Sequence, residues 1–424
     1  MAMPNCGRAP MRAAHIVLAF VLAFSAAWPA PAASQPLTLM EAFARAAAAD
    51  PGLPAAQARI GAAAASVMQA GRSPNPHLSL LAENFVGTGA VQGFERTETT
   101  LSYSQVYERG NKREARVSVA GAELEMARLR RQVRALDLYL AVETAWVEAL
   151  AAGAGIALRE ERLAAAERLR DETARRVEAA RDPLFAGSRT TALVAEAQVA
   201  LTRARSADAT ARAALAAYWS GPSDFQLDMG ALEATMEAPP PNGEDIDLAL
   251  LEAQRQAAAA RVGLEESRAF QDPTFQGGLR HFGLGNDLAF VAGVSIPLPL
   301  YDDNSGNIAR AAAEREAAER DILAAGAARQ REIAFLSARI AASGAEARSL
   351  ESAALPEAER ALELARDGFA RGGFGYIDII EAERALAAVR AQRLDALISH
   401  HLDIARLNRL TGHYAAIIPS EEPR

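Results

Sequence analysis

Long runs of alternating apolar and charged residues, almost free of proline, dominate the chain. The longest covers 112–180, where Val117, Ala120, Leu124 and Ala127 follow the three-four spacing of a packed helical seam. At 1.5 Å per residue this run predicts about 100 Å of helix, far beyond the usual globular length. A similar run covers 308–371, with Pro356 as its one irregularity. Taken alone, the pattern favours a solvated coiled-coil stalk.

Two segments of a different kind precede the long runs. Residues 77–85 and 97–106 are rich in Leu, Phe, Val, Thr and Tyr and flank a glycine-containing stretch, which predicts a β-hairpin at about 77–106. A second hairpin is predicted at about 274–296. An alanine-rich helix precedes each hairpin and ends at proline. Apolar and polar residues alternate only weakly along these strands, so the sequence does not decide which face of the strands would contact lipid. That face carries either Leu80, Phe85, Phe275 and Phe290 or their immediate alternates.

Each long run ends in a turn followed by a returning helix. The order helix, β-hairpin, long helix, helix occurs twice with a period of nearly 200 residues, which indicates a duplication. We therefore predict a mainly α fold with a small β part, built from two tandem repeats. The predicted segments are a first repeat at 34–221 with its turn at about 181–191, a linker at 222–243, a second repeat at 244–414 with its turn at about 371–377, and a short tail at 415–424.

The first residues predict export. Arg8 and Arg12 precede an apolar run at 16–24 and small residues suited to cleavage, so residues 1–33 are predicted to be a signal peptide. Cys6 would leave with it, which excludes disulfides, thiolate metal sites and cysteine nucleophiles from the mature chain. No later apolar stretch approaches 18 residues, so any membrane insertion is expected to use β-strands.

Charge and motifs exclude several classes of function. The net charge is -8 and no Lys/Arg block is present, which argues against nucleic acid as a partner. No phosphate loop, nucleophile elbow or zinc-protease motif occurs, so no catalytic residue, cofactor or metal site is predicted and the chain is not expected to be an enzyme. The histidines after the signal peptide lack metal-ligand spacing and are interpreted as structural or surface residues; they are His77, His281, His400, His401 and His413.

The two hairpins limit how the chain can function alone. A two-stranded hairpin is marginal in water, and four strands cannot close a barrel around an aqueous channel. Three chains would pool 12 strands, which is within the range of membrane barrels. The pattern therefore predicts a homotrimer.

Several short motifs occur in a fixed order along both halves. They are LTLMEA at 37–42, QAGRSPNP at 69–76, LSYSQ at 101–105, SIPLPLY at 295–301, GNIA at 306–309 and GGFGYIDIIEA at 372–382. Together they resemble the outer-membrane efflux protein family, the TolC-like factors, over nearly the whole mature chain. The segment PLFAGS at 183–188 is most similar to the CzcC-like branch, which serves heavy-metal resistance-nodulation-division pumps.

The resemblance implies an architecture and partners. It implies a homotrimer with a 12-stranded β-barrel in outer-membrane lipid, continued by a periplasmic α-helical barrel whose tip docks a periplasmic adaptor (membrane fusion protein) of an inner-membrane pump. The implied function is passive conduction of heavy-metal cations to the exterior. Drug efflux and type I protein secretion remain alternatives, and a pore-free periplasmic coiled-coil scaffold is the alternative of another class.

Candidate functional residues lie in the two turns and just after the second. Exposed turns carry binding residues, so the adaptor-docking tip is predicted at Gly187, Ser188, Gly372 and Gly373. Asp378 and Glu381 are three residues apart and share a helix face. The resemblance implies that they line a pore constriction as stacked acidic rings, whereas a helix N-terminal acid pair is the simpler interpretation. The sequence departs from the family pattern at Phe369 and Phe374, where a Tyr and an Arg help to lock the closed gate in the family, and the first turn has no obvious acid near Leu193.

Overall fold

The computed structural model describes residues 36–235 and 245–418, which form a mainly helical structure with one small antiparallel sheet. The predicted fold class, mainly α with a small β part, is confirmed. The predicted signal peptide, the proline-rich end of the predicted linker and the last six residues of the tail lie outside the described residues.

Helices account for most of the described chain. They are α1 (Leu39–Ala49), α2 (Gly52–Ala70), α3 (Lys112–Glu178), α4 (Leu184–Ala217), α5 (Gly230–Glu233), α6 (Ile246–Arg268), α7 (Ser305–Ser349), α8 (Leu355–Ala370) and α9 (Tyr376–Leu410). The strands are β1 (His77–Glu83), β2 (Glu98–Val106), β3 (Thr274–Phe282) and β4 (Asp287–Ser295). All neighbouring strands are antiparallel, and the sheet order is β1-β2-β3-β4. The two hairpins therefore share one sheet, although about 170 residues separate β2 from β3 along the chain.

The largest hydrophobic core surrounds the middle of α3. Phe43 of α1 stacks on Tyr139 of α3, with 4.6 Å between ring centroids, and its edge meets Tyr414 at 5.0 Å. Leu136 and Leu150 of α3 are almost wholly buried in the same cluster. Each such side chain contributes about 1.5–3 kcal/mol relative to exposure. This core holds α1, α3, α6 and the end of α9 together, at a distance from the sheet and from the turns.

Helix α3 is an exception to the expectation that no segment after the signal peptide is apolar enough to cross a membrane. It contains a window of 18 residues with a mean hydropathy of 1.3, and 39% of that window is buried inside the protein. The most buried apolar residues of α3, such as Val142 and Leu150, pack in the central core. Their hydrophobicity is therefore explained by the core.

The second long helix is interrupted near its proline. Between α7 and α8 the residues Leu350–Ala354 form a π-helical turn, which widens the hydrogen-bond spacing by one residue. Pro356 follows at the start of α8, where its missing N–H costs one hydrogen bond. The helix continues beyond this point as a separate segment that packs on α9.

A buried carboxyl group lies in the central core. Glu143 of α3 is 5% exposed, and its Oε1 accepts hydrogen bonds from Asn408 Nδ2 at 3.2 Å and from the Tyr414 hydroxyl at 3.1 Å. Its Oε2 is buried and has no hydrogen-bond partner among the described residues. Burial raises the pKa of Glu143 from 4.5 to about 7, against the two hydrogen bonds, which lower it. The folded state therefore holds the proton of this carboxyl more tightly than the unfolded state.

This shift predicts a pH-dependent stability. Because the folded pKa is raised, the free energy of unfolding is largest at low pH and falls as pH rises from about 4.5 to about 7, by up to about 3 kcal/mol. Glu143→Gln keeps an uncharged acceptor for Tyr414 and should abolish this component. Thermal unfolding of the detergent-solubilised protein followed by circular dichroism between pH 5 and 8 measures the effect. Glu148→Gln, on an exposed position of α3, is the control. A wild type and a Glu143→Gln variant with parallel pH profiles would contradict the prediction.

Candidate functional site

The two chain reversals lie together at one end of the helices and use the same backbone motif. We call residues 176–188 and 368–378 the tip. The Arg181 N–H donates to the Arg176 carbonyl and the Gly373 N–H to the Gly368 carbonyl, both at 2.8 Å. These are the six-to-one bonds of a Schellman motif, which ends α3 and α8. The residue before each donor adopts a positive φ, 56° at Ala180 and 77° at Gly372.

One arginine connects the two halves of the tip. Arg176 donates from Nε to Asp182 Oδ2 at 2.9 Å and from Nη1 to the Phe369 carbonyl at 2.8 Å. Its guanidinium also lies 4.1 Å from the centroid of the fully buried Phe369 ring, a cation–π contact. Sequence reasoning missed this residue because its partner lies 193 positions further along the chain.

The four predicted tip residues lie in two different kinds of element, a turn and a helix. Gly372 and Gly373 lie in the second turn, where the positive φ of Gly372 favours glycine. Gly187 and Ser188 lie within the first turns of α4, and the first reversal is made by 179–183 around Ala180. The expected role of Gly187 in the reversal is therefore corrected. A Cβ added at Gly187 would meet no atom within 4 Å, so the position faces open space.

Large apolar side chains are exposed around the tip. Leu184 and Phe185 are 83% and 63% exposed, and Phe374 and Ile377 are about half exposed. Phe185 also makes an edge contact with Tyr376, at 6.4 Å between ring centroids. The sequence did not assign these side chains to a contact surface, although their position beside two turns is the signal that could have done so. Exposed apolar side chains grouped in this way are typical of a protein contact surface.

The two predicted acidic residues are both exposed and have different neighbours. Asp378 Oδ2 accepts a hydrogen bond from the Gly375 N–H at 2.8 Å, so it caps the first turn of α9. Glu381 pairs with Arg384 one turn further, at 3.1 Å. Asp378 therefore caps α9 through Oδ2, and its Oδ1 has no hydrogen-bond partner within residues 36–235 and 245–418.

The residues that depart from the family pattern have structural roles in the tip. Phe369 is fully buried under Arg176, as described above. The Phe374 ring covers Gly368 so closely that an added Cβ would lie 2.1 Å from its Cδ2. Gly368 therefore cannot be replaced without moving Phe374.

One face of the sheet is apolar and exposed. The register aligns Leu80, Leu101, Leu279 and Phe290 in a single row across all four strands. These side chains are between 43% and 92% exposed. Phe275 lies on the same face, because it is four residues from Leu279 on β3. Phe85 follows the end of β1 and belongs to neither face.

The opposite face of the sheet is polar. Arg280 Nε donates to Thr100 Oγ1 at 2.9 Å, and the Arg280 guanidinium also pairs with Glu98 and Glu83 at 3.2 and 3.4 Å. Ser79 and Ser102 hydroxyls are 2.7 Å apart on the same face. Leu81 pairs in register with Thr100 and therefore also lies there. The sheet thus separates an apolar face from a polar face, with no core packed on either in the described chain.

His400 and His401 are neighbours in α9, with 5.6 Å between their ring centroids, whereas His281 lies in β3. His281 Nε2 lies 2.7 Å from Asn286 Oδ1, while His400 and His401 are buried, with ring nitrogens 3.1 Å and 3.0 Å from the carbonyls of Ile340 and Leu232. Burial lowers the pKa of His401. Among residues 36–235 and 245–418, no three His, Cys, Asp or Glu side chains come together as a metal site would require.

Comparisons with known proteins identify relatives over nearly the whole chain. No family model matches. The chain is 30% identical over 397 residues to the cobalt-zinc-cadmium resistance protein CzcC of Cupriavidus metallidurans, covering 90% of this chain and 91% of that protein. It is 30% identical over 266 residues to the nickel-cobalt-cadmium resistance protein NccC of Alcaligenes xylosoxydans xylosoxydans, covering 62% and 60%. The crystal structure of the outer membrane protein VceC of Vibrio cholerae has the same fold, with a TM-score of 0.74 at 22% identity over 88% of this chain and 96% of that one. The chain therefore belongs to the TolC-like outer-membrane efflux proteins, in the branch of the heavy-metal resistance protein CzcC.

Proposed function

We propose that three copies of the chain form a duct, with a 12-stranded barrel in the outer membrane continued by a periplasmic tube of helices. The sheet is the observation that carries this proposal. Its outer strands, β1 and β4, have no partner beyond them in the described chain. An open edge is not viable in lipid because its N–H and C=O groups find no water. Four strands from each of three chains close a barrel of 12 without an edge.

The two faces of the sheet support this orientation. In a closed barrel the apolar row of Leu80, Leu101, Leu279 and Phe290 would contact lipid, and the polar face with Arg280 would line the lumen. A pore-free scaffold has no use for such a two-faced sheet. Tyr107, 63% exposed just beyond β2, stands where aromatic residues meet lipid headgroups.

The helices would continue the barrel as a tube. Exposed alanines at Ala309, Ala313 and Ala317 recur every four residues along α7 and allow a neighbouring helix to approach closely. The repeated element order supports two outer-membrane efflux repeats, at 34–221 and 244–414, as the origin of this wall.

The cargo proposed for the duct is heavy-metal cations. The relatives CzcC and NccC are named for resistance to cobalt, cadmium, zinc and nickel. The duct would be passive, receiving cations from an inner-membrane resistance-nodulation-division pump through a periplasmic adaptor, and would carry out no catalysis. The exposed apolar side chains at the tip, such as Leu184 and Phe374, support adaptor docking there.

The lipid-facing row predicts that the same substitution has different effects on membrane insertion at two adjacent residues. Leu80 and Leu81 are both exposed leucines of β1, on the apolar and the polar face respectively. Leu80→Arg should impair membrane insertion by about 2–4 kcal/mol if it lies near the bilayer midplane, whereas Leu81→Arg should be tolerated. The yield of protein in the outer-membrane fraction measures the effect. Equal yields from the two variants would place the strands outside the membrane.

The tip predicts a docking defect without loss of assembly. Gly187→Arg adds a large charged side chain into open space, so it should leave the trimer intact and reduce metal resistance in the native host at least tenfold. Gly155→Arg, at another helical glycine with open space around it, is the control for the substitution itself. Gly372→Arg is less suitable, because the positive φ there adds backbone strain. Full resistance in the Gly187→Arg strain would remove this surface from the docking interface.

The acidic pair predicts cation selectivity. Three copies of Asp378 and Glu381 around a narrow opening should attract cations and repel anions, as charged rings do in other channels. Replacing Asp378 by Asn and Glu381 by Gln retains an acceptor for the Gly375 N–H while removing both charges. Reversal potential in planar bilayers, and block by multivalent cations from the periplasmic side, should both weaken in this double variant. Glu357→Gln with Glu363→Gln on α8 makes the same change of charge elsewhere, and identical selectivity in all three proteins would place the pair away from the pore.

A further inference from the structure

A cavity of about 360 Å³ lies between the two helix pairs, on the sheet side of the tip. Four helices line it, α3 and α4 from one pair and α8 and α9 from the other. Its volume is within the range of small-molecule sites. None of the residues assigned to adaptor docking or to the acidic pair lines it.

The floor of the cavity is apolar. Its larger apolar side chains are Leu158, Leu169, Leu193, Leu362, Ile380 and Leu386. Ala165 and Ala197 also line it and are themselves buried, so small side chains create the space. A floor of this composition favours a hydrocarbon chain over water.

Arginines predominate at the rim of the cavity, and one of them has no partner in the described chain. Five arginines and two glutamates line it. Four of the five arginines pair with glutamates. They are Arg366 with Glu383 at 2.5 Å, Arg390 with both Glu161 and Glu359, Arg384 with Glu381 at 3.1 Å, and Arg162 with Glu196 at 3.9 Å. Arg168 makes no ion pair or hydrogen bond within residues 36–235 and 245–418. Because the other four arginines of the rim already have carboxylate partners, an anionic group that enters the rim meets one guanidinium without a partner among the described residues, that of Arg168.

We propose that this cavity binds a single-chain amphiphilic anion, such as a fatty-acid carboxylate or an alkyl sulfate. The alkyl chain lies on the leucine floor between the helix pairs, and the headgroup pairs with Arg168 at the rim. Charge complementarity selects the anion, and the narrow volume selects one chain over a two-chain phospholipid. Because α3 and α4 line one side and α8 and α9 the other, the bound molecule contacts both helix pairs and fixes their separation. This site is separate from the proposed cargo, and it adjoins the acidic pair because Arg384 lines the cavity and pairs with Glu381.

Photolabelling of the full mature protein in a neutral detergent tests the proposal. The probe is octanoate with a diazirine in its alkyl chain, and the same chain on a glucoside is the neutral comparison. Labelled peptides are mapped by mass spectrometry. The anionic probe should label peptides from 158–169 and 380–390, and octyl sulfate should compete for this labelling while octyl glucoside should not.

Three variants separate the site from general binding to detergent-covered surface. Arg168→Gln should reduce labelling of these peptides at least fivefold, and Ala197→Met should reduce it by filling the floor. Arg203→Gln, on an exposed position of α4 away from the cavity, should leave it unchanged. Circular dichroism and elution volume establish that each variant is folded. Equal labelling by the neutral probe, labelling confined to other peptides, or unchanged labelling in both Arg168→Gln and Ala197→Met would overturn the proposal.

Discussion

The unpaired backbone groups along the outer edges of β1 and β4 are the constraint on which the rest of the structure depends. A four-stranded sheet with one exposed apolar face cannot remain in water without covering that face, nor in lipid without closing its edges. Both demands are met when the edges pair with other copies and the apolar face meets hydrocarbon. The order helix, hairpin, long helix, helix occurs twice along the chain, so each half supplies one hairpin, and the register of β2 on β3 joins the two hairpins into one sheet.

Arg176 has a comparable role at the opposite end of the molecule. The two helix pairs leave the central core separately, and their turns belong to different repeats. A guanidinium that lies on Phe369, donates to its carbonyl and pairs with Asp182 fixes one turn against the other. The exposed apolar residues of the tip are therefore presented on a connected surface, which is what a docking partner requires.

Much of this architecture could be predicted from the sequence, because long proline-free runs and β-rich segments are local signals. The strand faces could not be resolved, since Leu80 and Leu81 are equally apolar and only pairing with Leu101 distinguishes them. Gly187 was placed in the turn rather than in α4 because a glycine early in a helix has the same sequence context as a turn glycine. Glu143 has no local signal at all, because its burial depends on Asn408 and Tyr414, more than 260 residues away.

The π-helical turn before Pro356 keeps the buried residues of α7 and those of α8 on the same side of the helix. Ala347 and Leu362 are both buried and lie 15 residues apart, one more than two heptads. A continuous α-helix would carry this extra residue as a rotation of every later side chain by about 100°. The π turn absorbs it locally, so the apolar stripe of α8 stays aligned with that of α7. The interrupted helix is thus comparable to a crystal with a dislocation. The inserted residue is confined to one point, and the regular packing on either side of it is retained.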